Sequence, residues 1–166
     1  MSLPAESKPL AVLDTGILFA GTFSPNGVSG KVLDLVNAEE IAVVMSDRLR
    51  SEYEETLTDE RNRQRFPHIT IEDVWATLDL MDDCADRVTN PPRQMVYERD
   101  PNDELLINLV LATKAAYLVT LDQDLLALPL HPEFIRQPHQ PRVLRPGAFL
   151  TEIERLRDLR TGPEPA

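Results

Sequence analysis

Four acids in this chain recur in one kind of place. The apolar segment "LAVL" at residues 10 to 13 runs directly into Asp14, and "YLVTLDQDLL" at 117 to 126 runs through Thr120 to Asp122 and Asp124. Between them, Glu52 shares one helical face with Leu49, Tyr53, Thr56 and Leu57, and Asp103 aligns in the same way with Leu106, Ile107 and Val110. Singly, each has an ordinary explanation: acids after strands are turn residues, and an acid in the first turn of a helix complements its dipole. That account leaves four acids at strand ends or on inward faces with no basic residue at a matching position. Converging carboxylates repel one another, and each costs several kcal/mol to desolvate unless something positive neutralises it. A divalent cation does so, and oxygen-only ligands without His or Cys suit Mg²⁺ or Mn²⁺. One or two such ions turn a bound water into a nucleophile and stabilise both oxygens of a phosphodiester displacement.

The elements that must position these acids follow from the hydrophobic pattern. "LAVLD" (10 to 14), "IAVVM" (41 to 45) and "YLVTL" (117 to 121) are short continuous apolar runs, predicted as buried strands. "DRVT" (86 to 89) and "RVLRP" (142 to 146) add shorter ones. Helices are predicted over "GKVLDLVNA" (30 to 38), from Asp47 toward Pro67 with Ser46 as N-cap, and over "TIEDVWATLDLMDDCA" (70 to 85) with Trp75 in the core. Two more are predicted over "PNDELLINLVLATKAA" (101 to 116) and "GAFLTEIERLRDL" (147 to 159). Residues 129 to 141 are expected to form a loop. Buried strands alternating with helices indicate an α/β fold with a parallel sheet covered on both faces, whose ligand site lies outside the carboxyl ends of the strands.

At 166 residues with 42% hydrophobic content, one domain is expected, over residues 9–152. Residues 1–8 and 160–166 are expected to be flexible tails. No apolar run approaches the roughly eighteen residues of a membrane span, and "MSLPAESKPL" lacks the features of a leader, so a cytoplasmic protein with no membrane partner is expected. A lone Cys84 leaves neither a disulfide framework nor a zinc cluster. The net charge of −11 argues against a general basic surface for nucleic acid, leaving local patches at "RNRQR" (61 to 65), Arg136, Arg142 and Arg145. A cation held by the acids would supply the positive potential that the protein lacks.

These residues resemble the PIN-domain family, metal-dependent ribonucleases that include the VapC-like toxins of toxin–antitoxin pairs. The likeness rests on "AVLDTGILFAG", "SDRLRSEYEETL" and above all "DPNDELLINLVLATKAAYLVTLDQDLL", with "RPGAFL" similar to the family's closing segment. It implies a three-layer α/β/α sandwich with strand order 3-2-1-4-5, and Asp14, Glu52, Asp103 and Asp122 as the metal-binding quartet. It implies supporting roles for Thr15 and Thr120 in orienting carboxylates or water, and for Asp100 and Asp124 as neighbours or caps. It also implies an RNA substrate, a small antitoxin partner and a homodimer or higher oligomer. One departure stands out: Gly16 occupies a position where many members carry Asn, and glycine has no amide to hold a carboxylate or substrate.

A haloacid-dehalogenase-type phosphatase also begins with an Asp at the end of its first strand, but needs a second Asp where this chain has Gly16. A receiver domain needs a paired acid near the first strand and a late Lys after a strand, and neither is clear here. An inactive PIN-fold protein-binding module would not need metal. His68, His131 and His139 lie in Pro-flanked segments without ligand spacing, Ser46 lacks a nucleophile-elbow context, and no phosphate-cradling Gly-rich loop is present.

Overall fold

The structure is a computed structural model that describes residues 8–162. Its centre is a five-stranded sheet built from β1 (Leu10–Leu13), β2 (Ala42–Ser46), β3 (Asp86–Val88), β4 (Tyr117–Val119) and β5 (Arg142–Leu144). The strands lie in the order β3-β2-β1-β4-β5, and every pairing is parallel. This is the predicted architecture. Leu13 pairs with Val119 and Val119 with Leu144, so β1, β4 and β5 end together at one edge. The strand order turns back between β1 and β4, the switch point where sheets of this kind hold ligands. Ala11, Val12, Leu13, Leu118 and Val119 are at most 1% exposed, which is why these strands are continuous apolar runs rather than alternating ones.

The helices are α1 (Thr15–Phe23), α2 (Val28–Asn37), α3 (Asp47–Thr58), α4 (Glu60–Arg65), α5 (Ile71–Cys84), α6 (Pro101–Thr113), α7 (Gln123–Leu126), α8 (Pro132–Ile135) and α9 (Pro146–Thr161). Helices α1, α2, α3 and α5 pack on one another, α6 lies against β1 and β2, and α9 packs on α2. Two glycines permit the close α1–α2 pairing. A Cβ on Gly21 would come within 2.6 Å of Leu33, and one on Gly30 within 1.9 Å of the Pro25 carbonyl.

Several elements differ from their sequence pattern. Helix α1 has no counterpart in the prediction, because Thr15, Ile17, Leu18, Gly21, Thr22 and Phe23 are all buried and no polar face marks its period. The single helix expected from Asp47 toward Pro67 breaks at Asp59, whose extended backbone ends α3 and whose carboxylate accepts from the Arg61 N–H at 3.0 Å to cap α4. Ser46 caps α3 as expected, accepting from Leu49 N–H at 3.0 Å. Trp75 is 40% exposed, not in the core; the buried stripe of α5 is Val74, Leu78 and Met81. The expected loop from residue 129 contains α8, which begins at Pro132 and is preceded by the 3-10 turn Leu128–Leu130, which has Pro129 as its second residue.

Helix α9 runs past residue 152 and buries Ile153, so residues 160 and 161 continue a helix instead of a tail. Residues 1–7 and 163–166 lie outside the described residues. On α6, the buried amide of Asn108 accepts from Gln94 and Met95 N–H and donates to the Met95 carbonyl, all within 2.9 Å. It thereby ties the segment before the helix to the helix itself. Removing it would orphan buried backbone groups at about 1–3 kcal/mol each.

Candidate metal centre

Asp14 stands where β1 ends and α1 begins. Its N–H donates to the Val119 carbonyl at 3.0 Å, continuing the sheet for one residue, and its side chain then caps α1. Oδ1 accepts from Thr15 N–H at 2.8 Å and Oδ2 from the Thr120 hydroxyl at 2.7 Å. Thr120, fully buried, also accepts from the Asp122 N–H at 3.0 Å. One hydroxyl therefore fixes both acids of the β1 and β4 ends, which explains a polar residue at the end of a buried strand. Asp122 caps α7 through Oδ1, accepting from Asp124 and Leu125 N–H at 2.8 and 3.4 Å. Asp100 caps α6, accepting from Asn102 and Asp103 N–H at 2.9 and 3.5 Å. Asp124 pairs with Arg99 at 2.9 Å.

Glu52 and Asp103 are half-buried, and among the described residues no hydrogen bond of ordinary geometry fixes either side chain. Glu52 lies beside Thr15, whose hydroxyl favours its ionised form, yet Thr15 Oγ1 is buried without a hydrogen-bond partner. Next to Glu52, the fully buried Tyr53 donates its hydroxyl to the Leu13 carbonyl, clamping α3 to the end of β1. The sequence shows Tyr53 only as part of an apolar stripe, so this positioning contact was not legible there.

The electrostatics tie the acids together. Burial pushes Asp14 up from the ordinary carboxylate range, against the hydrogen bonds from Thr120 and Thr15, and Asp122 adds to the rise. Burial likewise raises Glu52, with Asp14 and Asp100 contributing. Asp103 is pushed up to about 7, first by burial and then by Asp100, Asp122, Asp14 and Asp124. Asp14 is thus within electrostatic reach of Glu52, Asp103 and Asp122 at the β1/β4 switch point, with Asp100 and Asp124 acting on Asp103 as well. Among the described residues none of the four forms an ion pair. Among the same residues no group of three or more His, Cys, Asp and Glu side chains is already arranged to hold a metal ion.

A family model described as PIN domain matches residues 11–124, from β1 through the start of α7. The chain belongs to the PIN-domain family. The matched span contains all four acids of this PIN domain together with Thr15, Thr120, Asp100 and Asp124. An uncharacterized protein of Methanocaldococcus jannaschii is 25% identical over 154 residues, covering 90% of this chain and 94% of the relative. Among solved structures, VapBC2 of Rickettsia felis, crystallised with a DNA fragment from its promoter, superposes with a TM-score of 0.51 at 14% identity. That match covers 82% of this chain and 98% of the other, and it shows that the two share a fold.

The donor chemistry of this PIN domain fits a hard cation. Its acids offer oxygen alone, and the unpartnered Thr15 hydroxyl adds another oxygen beside Glu52. The departure at Gly16 leaves open space, since a Cβ there would meet nothing within 4 Å. Two arginines near the acids escaped the sequence reading: Arg99, whose partner Asp124 is brought to it by the fold, and Arg48, which stands one helical turn before Glu52 on α3.

Proposed function

We propose that this protein is an endoribonuclease that hydrolyses RNA phosphodiester bonds with Mg²⁺ or Mn²⁺ held by Asp14, Glu52, Asp103 and Asp122. The observation that carries the reading is the gathering of Asp14, Glu52, Asp103 and Asp122, none in an ion pair among the described residues, around the switch point of the sheet, where burial first and neighbouring carboxylates second raise the proton affinities of Asp14, Glu52 and Asp103. When bound, the cation would act as a Lewis acid that lowers the pKa of water and stabilises charge on the phosphate oxygens. Asp14 is oriented by the Thr15 N–H and the Thr120 hydroxyl, and the Thr15 hydroxyl lies beside Glu52. Asp100 and Asp124 stiffen the surrounding turns by capping α6 and by pairing with Arg99.

The likeness to the VapBC2 assembly supports a further reading, that the protein is the toxin of a toxin–antitoxin pair with a small antitoxin partner. With that reading go a homodimer or higher oligomer and a cytoplasmic location, which rest on the family resemblance alone. Among the described residues no helix is long and apolar enough to cross a membrane.

The test is cleavage of a panel of single-stranded and structured RNAs with Mg²⁺, Mn²⁺ or chelator, comparing the native protein with Asp14→Asn. Asparagine keeps the capping acceptor, so the fold survives. Cleavage that needs metal and falls more than about a hundredfold in the variant is expected, beyond the loss typical of a residue that only supports a ligand. Absence of cleavage by the native protein across the panel, or equal cleavage by both, would overturn the reading.

A further inference from the structure

Beside the acid edge, a cleft of about 230 Å³ opens between the start of α3, the bend at residues 90 to 93 and α6. It continues into a smaller cleft that contains Glu52 and Asn102, with Ser46, Arg48 and Leu105 lining both. The two carboxylates on its walls are already engaged. Asp47 is held by Arg87 at 2.5 Å and by Thr89 at 3.0 Å, and Glu104 by Arg93 at 2.9 Å and the Tyr97 N–H at 2.7 Å.

Arg48 is different. It is exposed, forms no ion pair among the described residues, and precedes Glu52 by one helical turn, near enough to favour that acid's ionised form through space. Leu105, which lines both clefts with it, is 45% exposed, an apolar surface sharing a cleft with a cation in a protein of net charge −11. Asn90 stands at the rim in the left-handed region, φ 50°, a conformation that Asn tolerates and that turns the chain at the cleft wall.

A cation, an apolar platform and an amide in one small cleft match the three parts of a nucleotide: phosphate, base face and base edge. We propose that this cleft binds the nucleotide next to the cleaved bond of a single-stranded RNA, with Arg48 positioning its phosphate, Leu105 carrying the base and Asn90 facing the base edge. The inference rests on the nuclease reading. A single strand is required because a base in a duplex has both faces stacked and cannot enter a pocket.

The experiment measures fluorescence anisotropy of labelled RNA hexamers of adenylate, cytidylate and uridylate in Mg²⁺, with Asp14→Asn as the parent so that the probe stays intact. Arg48→Ala and Leu105→Ala are each expected to raise Kd roughly tenfold, the scale of one lost charge-assisted contact or apolar platform. Lys31→Ala, an exposed lysine on α2 that lines neither cleft, is expected to change nothing, and a self-complementary hairpin RNA to bind more weakly than the hexamers. In the protein with Asp14 restored, the same two changes should raise KM more than they lower kcat. Hexamer binding that is absent, or unaffected by both changes, would overturn the cleft as a subsite. Cleavage with an unchanged KM would overturn the cleft while leaving the nuclease standing. Binding lost in both variants with no cleavage by the native protein would overturn the nuclease and uphold the cleft.

Discussion

Glu152 on α9 and Asp103 on α6 are acids near opposite ends of the same sheet, and their surroundings pull their proton affinities in opposite directions. Glu152 sits at the amino end of β4 and β5. It accepts from the Tyr117 hydroxyl at 2.9 Å and pairs with Arg142 at 3.0 Å and Arg155 at 2.8 Å. Only 7% of it is exposed, yet it lies shallow, covered by the arginines that bind it. Those hydrogen bonds, Arg155 first, hold it down at about 2 despite the opposing effect of burial. Asp103 stands near the carboxyl end, less buried, with four other acids and no cation of its own, and is pushed up to about 7. A satisfied carboxylate is part of the scaffold. An unsatisfied group of them stores repulsion that a bound cation would relieve, and the fold maintains it at the place where open α/β sheets bind ligands.

The contrast can be broken from either end. Short of removing a carboxylate itself, the largest effect is expected at Thr120, whose hydroxyl holds Asp14 and Asp122 together. Thr120→Val keeps the shape, frees Asp14 Oδ2 and orphans a backbone N–H. Cleavage and Mn²⁺ affinity are expected to fall about 10–100-fold with the circular dichroism unchanged. Full activity in that variant would show that the hydroxyl positions nothing. Glu152→Gln should do the reverse, leaving cleavage within about twofold of native and lowering Tm by about 3 °C in a thermal melt. A loss of activity comparable to that of Thr120→Val would erase the distinction between the two ends.

The smallest effects lie in pH dependence, where the two acids have opposite signs. Asp103 binds its proton more tightly folded than unfolded, so in metal-free protein its contribution to stability is complete below about pH 4 and is lost as pH rises through about 7. Glu152 binds its proton less tightly folded, so its contribution is complete above about pH 4.5 and is lost as pH falls through about 2. Urea melts of metal-free protein between pH 4 and 7 should therefore flatten in Asp103→Asn, while the acid limb below pH 4.5 should flatten in Glu152→Gln. An unchanged slope in Asp103→Asn would mean that its carboxyl is not strained by its neighbours.

Much of this contrast was legible in the sequence, and the unreadable parts have physical causes. Asp14 and Asp122 stood out because each follows an apolar run that can only be a buried strand, and Glu52 and Asp103 because helical period placed them with buried neighbours. The ordinary explanation also holds at once, since Asp14, Asp122 and Asp100 do cap helices. Capping uses one oxygen of Asp122 and of Asp100, leaving the other for a ligand. Helix α1 was invisible because burial on all sides removes the amphipathic signal. Arg142, which the sequence shows only as a local basic patch, is committed to Glu152, a partner on another element that leaves no local pattern. Arg61 in the basic run is similarly committed, to Asp59 at 2.7 Å.

The most direct measurement is calorimetric titration of Mn²⁺ into the native protein at pH 7 in two buffers of different ionisation enthalpy, alongside Asp14→Asn, Asp103→Asn and Glu152→Gln. The account predicts binding to the native protein and to Glu152→Gln with protons released, because Asp103 carries part of a proton near pH 7 that the cation must displace. It predicts weakened binding in Asp14→Asn, and in Asp103→Asn weakened binding without that release. No binding by the native protein, or equal binding by Asp14→Asn, would contradict the claim that these acids are held together for a metal ion.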